Sequence, residues 1–215
     1  SIDNLQRLQD PASGIDIAFV QSGSTNYANA ERSGLISLGS LFTEPVWLFY
    51  RDRLSIRGLR ELKGLRINVG PTGTGVPQVV GKILAANGIE PGMVRLSALE
   101  DTPATVALLN GKIDGMVFSS AADGLLIQML LQTPGIKLFN FSQADAYARR
   151  FPFLSHVTLP RGIVDFGRNL PSRPVELIAV CDRVAVEGAM VRRAMAEGGP
   201  WWEMVPDAVA DYIRK

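Results

Sequence analysis

The residues best suited to chemistry are Thr72, Gly73, Thr74 and Gly75, which close the stretch Arg66-Ile-Asn-Val-Gly-Pro-Thr-Gly-Thr-Gly75. They offer hydrogen-bond donors without formal charge. Val76, Val79, Val80, Ile83 and Leu84 follow at helical spacing, so a helix is expected to begin where the glycines stop. Its first turn has amides without intrahelical partners at the positive end of the helix dipole. Gly73 and Gly75 would let the backbone approach a ligand with no Cβ in the way, and Thr72 and Thr74 would add hydroxyls. This chemistry suits a carboxylate or phosphate oxygen. The segment has neither the Lys-Ser/Thr pair of a P-loop nor a full G-x-G-x-x-G fingerprint, which argues against a nucleotide. A plain strand-to-helix turn is the bland alternative.

Two more polar clusters follow apolar runs: Gln21-Ser22 after Ile15–Val20, and Ser119-Ser120 after Gly115. In open α/β sheets ligands sit beyond the carboxyl ends of strands, where all these groups are expected. Hydroxyls and amides without a matching set of acids and bases suggest holding a ligand over transforming it. No catalytic residue is assigned. His156 is the sole histidine and lies in the alternating run Phe153–Leu159, so it reads as a half-buried, hydrogen-bonded strand residue. With one histidine, one cysteine (Cys181) and dispersed carboxylates, no metal centre, cofactor or internal disulfide is expected. Asp114 reads as a turn or interlobe hydrogen-bonding residue, with a ligand ammonium as the alternative. Arg161 is a candidate carboxylate partner or a solvated loop residue. Trp201-Trp202 reads as lid packing more readily than as a sugar platform.

Strands are expected at Ile15–Val20, Leu35–Leu38, Val46–Tyr50, Val94–Leu96, Gly115–Ser119, Ile136–Phe139, Leu154–Leu159 and Val175–Val180. Helices are expected up to Leu8 and at Arg51–Gly64, Thr102–Asn110, Gly124–Leu131, Ala144–Phe151, Ala185–Glu197 and Asp207–Lys215. Asp10-Pro11 should break the first, and Gly111 should cap the Thr102 helix. The alternation predicts an α/β protein with parallel sheets covered by helices. The 215 residues are 47% hydrophobic and carry a formal charge of +1, with no basic stripe for nucleic acid or a membrane surface. No run approaches a membrane span, and the first residues lack the features of a signal peptide.

The sequence resembles the TAXI-type solute-binding subunits of tripartite ATP-independent periplasmic (TRAP) transporters, which are related to NMT1-like binding proteins. The likeness covers most of residues 1–180. It is carried by Asp16-Ile-Ala-Phe-Val-Gln-Ser22, Leu38-Gly-Ser-Leu-Phe-Thr-Glu-Pro-Val46, Leu62–Gly70 with Gly73-Thr-Gly75, and Asn110-Gly-Lys-Ile-Asp114. The resemblance implies a type II periplasmic binding fold of two Rossmann-like lobes, with residues 1–50 and 175–215 in lobe I and 51–174 in lobe II. Hinge strands would lie near Val46–Tyr50 and Val175–Val180. It also implies export to the periplasm, a small carboxylate solute such as a glutamate-like amino acid or organic acid, and delivery to a TRAP-type permease. Carried over by position, the ligand contacts are Gln21, Ser22, Glu44, Thr72, Gly73, Thr74, Gly75, Val76, Ser119 and Ser120.

The sequence departs from the family in three places. The family begins with a strand and a Gly-Thr-Tyr-like loop before the position of Ser1, so the first strand of lobe I is expected to be missing. Val164 stands where an aromatic residue is common, and the likeness fades after Val180. Two other function classes compete: an enzyme on the same two-lobed architecture using the anion-holding turn, and the sensory domain of a membrane signalling protein.

Overall fold

The computed structural model describes residues 2–24, 35–187, 193 and 195–199. The expected helix at Asp207–Lys215 and the Trp201-Trp202 pair lie outside them. The chain divides into two compact units, Ser1–Thr43 with Cys181–Lys215, and Glu44–Val180. The Val46–Tyr50 and Val175–Val180 segments belong to the second.

In the first unit, α1 (Ile2–Gln9) ends at Asp10-Pro11. Asp10 then caps a 3-10 turn at Pro11–Ser13, its Oδ1 accepting the Ala12 N–H at 2.9 Å. Leu8 is buried with Val20 and Ala185, and Leu5, Ile15, Ala18 and Leu35 pack around them. Strand β1 (Ile17–Gln21) pairs antiparallel with the end of β8 (Val175–Glu187), from Ile17 opposite Val186 to Gln21 opposite Asp182. This corrects the helix expected from Ala185, because residues 185–187 are strand. Pairing with β1 overrides the helix-forming character of Ala185 and Glu187. Beyond the strand, Arg193, Met195 and Ala196 are helical.

The second unit holds the larger core. Strand β2 (Leu35–Arg51) is one 17-residue strand, where two shorter ones were expected. Pro45, which reads as a break, has no N–H to give, yet its carbonyl accepts the Ser120 N–H at 3.4 Å. The Arg51–Gly64 stretch is not the expected amphipathic helix. It is a set of turns with a 3-10 segment at Leu59–Leu62. Leu59 and Leu62 are buried at i, i+3, which suits 3-10 periodicity, and the Glu61 carboxylate accepts from the Arg57 and Gly58 amides.

Then come β3 (Arg66–Asn68), α2 (Val76–Ala86), β4 (Arg95–Ser97), α3 (Asp101–Leu109) and β5 (Gly115–Ser119). They are followed by α4 (Leu125–Gln132), β6 (Ile136–Leu138), α5 (Ala144–Arg150) and β7 (Leu154–Leu159). Gly111 ends α3 at φ +70°, as its position predicts. Strand β3 is parallel to both β4 and β5, whereas β5 and β6 are antiparallel to β2, and β7 to β8. The sheet is therefore mixed, with its parallel part confined to the strand-helix repeats. Trp47, Phe49, Met116, Ile127, Leu130 and Ile178 are wholly buried in this core. The Trp47 indole, too polar to bury unpaired, donates Nε1–H to the Ser120 carbonyl at 2.9 Å.

Candidate functional site

Because β3, β4 and β5 are parallel, the loops that follow them emerge at one edge of the sheet. Strand β2 enters the second unit at that same edge, since Val46 lies opposite Ser119 and Pro45 bonds to Ser120. Glu44, Thr72–Val76 and Ser119-Ser120 are thereby brought to one edge of one unit. Gln21 and Ser22 belong to the first unit.

The β3–α2 loop is built for a tight approach. Gly70 and Gly73 adopt φ +83° and +91°, which side chains disfavour. The Thr74 hydroxyl donates to the Pro71 carbonyl at 2.8 Å, and the Thr74 N–H leans on the same oxygen at 3.4 Å. That hydroxyl proton is thus committed to the loop. Thr72 is exposed. Gly75 is the N-cap of α2, has no side chain to cap it, and accepts the Val79 N–H at 3.2 Å. Its φ of −80° lies in the ordinary helical region, so Gly73 is the residue whose backbone demands glycine. Pro77 at the second helical position brings no donor, which leaves the Gly75, Val76 and Gln78 amides to carry the positive end of the helix.

Asn68 escaped the sequence reading. Fully buried, it accepts the Leu99 N–H at 2.7 Å and the Ser97 hydroxyl at 3.0 Å, and donates to the Leu99 carbonyl at 3.0 Å. One side chain therefore ties the end of β3 to the loop after β4. Its signal was a polar residue inside an apolar strand, which must find partners when buried.

In the first unit Gln21, Ser22 and Ser24 are all buried. The Ser22 N–H donates to the Cys181 carbonyl at 2.8 Å, and its hydroxyl accepts the Cys181 N–H at 2.9 Å. The Ser24 hydroxyl donates to the Gln21 carbonyl at 2.5 Å. These small polar groups hold the end of β1 against β8.

Other candidates fall elsewhere. Strand β7 ends at Leu159 opposite Val175, and Val175 shares a cavity with Tyr50, at the far end of β2 from Glu44. Arg161, in the loop after Leu159, therefore sits away from the polar edge, and Gly162 beside it bonds to Pro171 at 2.9 Å. Asp114, at the start of β5, is buried and accepts Arg66 Nε at 2.9 Å, Arg66 Nη2 at 2.8 Å, the Arg66 amide at 3.0 Å and Arg53 Nη2 at 3.1 Å. The Arg66 hydrogen bonds hold its carboxyl at a pKa of about 2 against the pull of burial. Its role is to brace the fold. His156 is exposed, where a half-buried residue was expected, with Nδ1 2.8 Å from Asp145 and Nε2 2.5 Å from Glu176, so both ring nitrogens are occupied. Hydrogen bonding to Glu176, then to Asp145, raises its pKa.

Two clefts lie in the second unit, of about 550 Å³ beside Arg60 and Tyr147, and about 470 Å³ beside Tyr50 and Arg173. Neither is lined by Glu44, Thr72–Val76 or Ser119-Ser120. Among the described residues there is no cluster of three or more His, Cys, Asp or Glu able to hold a metal, and no helix long and apolar enough to cross a membrane.

Comparison with known proteins shows the fold and, separately, the family. A sulfonate-binding periplasmic protein from Methylobacillus flagellatus superposes with a TM-score of 0.53 at 14% identity, covering 90% of this chain and 48% of that one. A protein from Bordetella bronchiseptica gives 0.53 at 18%, covering 88% and 52%. An alkanesulfonate-binding protein from Xanthomonas axonopodis, bound to MOPS, gives 0.50 at 16%, covering 93% and 55%. The chain thus spans about half the length of these structures. At such identities the likeness is one of fold, and the fold is that of type II periplasmic binding proteins. Among curated proteins, a nicotinamide-nucleotide adenylyltransferase of Halobacterium salinarum is 56% identical over 32 residues, only 15% of this chain and 18% of that protein. Residues 1–190, by contrast, match the NMT1-like family as a whole, and the chain belongs to that family.

Proposed function

We propose that this chain is part of a periplasmic solute receptor that binds a small carboxylate and presents it to a membrane permease, in the manner of the TAXI-type TRAP subunits it resembles. The observation that carries the reading is the uncapped amino end of α2 behind Gly73, at a sheet edge shared with Glu44, Ser119 and Ser120. Aligned amides there favour an anion without a formal cation. Thr72–Val76 and Ser119-Ser120 are the proposed contacts of the second unit. Arg161 drops out, because its loop belongs to the opposite edge. Binding without turnover is the reading we favour, because among the described residues Glu44 is the one acid we place at this edge and His156 is engaged by two carboxylates.

The names of the structurally similar proteins favour a second reading, in which the anion is a sulfonate and the permease is of the ABC type. Backbone amides accept either head group, so pocket shape decides. Thermal unfolding against matched panels of carboxylates and sulfonates separates the two. A true ligand at 100 times its dissociation constant adds about 2.7 kcal/mol to stability. A rise with carboxylates alone supports the first reading, a rise with sulfonates alone supports the second, and no rise with either panel removes the receptor reading.

A further inference from the structure

The cleft of about 470 Å³ in the second unit has the make-up of a small-molecule site in its own right. Its walls combine apolar side chains, Leu131 and Leu138 among them, with polar groups from Arg57, Lys137, Arg173 and the Tyr50 hydroxyl. No carboxylate lines it. Among the described residues, Arg57, Lys137 and Arg173 make no ion pair, although Arg53, Arg66, Arg168 and Arg193 all do. Glu61, close enough to add to the rise in the Tyr50 pKa, accepts from the Arg57 and Gly58 amides. Burial raises the Tyr50 pKa, while the Arg173 charge offsets part of that rise, so this guanidinium acts on the hydroxyl.

The cations come from separate elements. Lys137 is in β6 opposite Tyr50 of β2, Arg57 lies in the turn before the 3-10 segment, and Arg173 lies two residues before β8. We propose that this cleft binds an amphiphilic anion, a single carboxylate or sulfonate head on an apolar body, with Arg57, Lys137 and Arg173 around the head and the leucine walls around the body. Tyr50 and Val46 mark opposite ends of the β2 segment paired with β5, so this site stands apart from the polar edge near Ser119. It is a second site, independent of the solute reading.

The test is calorimetric titration of the whole chain with octanoate, octan-1-ol and acetate, in the wild type and in three variants. The expected result is saturable octanoate binding that weakens about tenfold in Lys137→Glu/Arg173→Glu and by less in Lys137→Gln/Arg173→Gln, as loss of exposed charge-assisted contacts requires. Octanol and acetate, each lacking one half of the ligand, should bind at least about tenfold more weakly. Gly73→Ala should leave octanoate binding unchanged, which separates this cleft from the α2 junction. Non-saturable octanoate heats, octanol binding as tight as octanoate, an unaffected charge-reversed variant, or loss of octanoate binding in Gly73→Ala would each overturn the proposal. Circular dichroism of the variants, all of whose altered cleft residues are exposed, confirms that the chain is folded.

Discussion

Asp114 and His156 each turn a side chain into a pH dependence, with opposite sign. The Asp114 carboxyl is held at about 2 by Arg66 against an ordinary 3.8, so its stabilising contribution is present above the ordinary value and lost as pH falls through about 2. The shift alone corresponds to about 2 kcal/mol, and screening lowers that because the Arg66 and Arg53 side chains are 39% and 56% exposed. Urea midpoints measured from pH 5 downward should therefore fall toward pH 2 more steeply in the wild type than in Asp114→Asn. Identical slopes would assign the acid sensitivity to other groups. His156 runs the other way. Its raised pKa means that its contribution is complete below the ordinary 6.5 and is lost as pH rises through the higher folded value. Being the sole histidine, it gives one resolvable imidazole signal, whose titration should lie above 6.5 and move down in Glu176→Gln. A midpoint at or below 6.5 would remove the two-carboxylate clamp.

The β3–α2 junction shows how far local sequence reaches at the scale of elements. α2 begins where the glycines stop and β5 spans Gly115–Ser119 as expected, because each is specified by its own residues and turns. The departures arise where partners decide. Gly39, Ser40 and Pro45 read as punctuation but are carried through β2, whose Val46–Tyr50 half is held by β5 and β6 on either side. Ala185–Glu187 remain strand because β1 lies alongside. The candidate site was legible only in pieces. Each polar strand end could be read from its own residues, yet the register that groups Glu44, Thr72–Val76 and Ser119 and sends Arg161 elsewhere is a property of pairing across long sequence separations. Asn68 is the element-scale test. Asn68→Leu would strand the Leu99 amide and the Ser97 hydroxyl, costing about 2–4 kcal/mol, whereas Gly73→Ala, strained at φ +91°, should cost about 1–2 kcal/mol. Chemical denaturation gives both values. Faster amide exchange at Leu99 in the Asn68 variant alone would tie the larger loss to the β4 loop.

At the scale of the molecule the described core is divided unequally between the two units. The large cluster, with Trp47, Phe49, Met116 and Ile178 at its centre, is drawn wholly from residues 46–180. The described buried apolar side chains of the first unit are Leu8, Val20, Leu38 and Ala185, three of which cluster with four half-buried neighbours. Since each fully buried large apolar side chain contributes about 1.5–3 kcal/mol, most of the hydrophobic stabilisation among the described residues resides in the second unit. Cutting β2 before Glu44 and β8 after Val180 removes the strand β1 and its partner segment but leaves the β2–β5, β3–β4, β3–β5 and β7–β8 ladders intact. The segment Glu44–Val180 expressed alone should therefore fold cooperatively. Trp47 is its sole tryptophan and is wholly buried, so folding reads directly as blue-shifted emission that reddens in one sigmoidal step with urea. Red emission without denaturant would mean that the core needs the first unit to close it, and the second unit would then be a compact region of one folding unit instead of a domain.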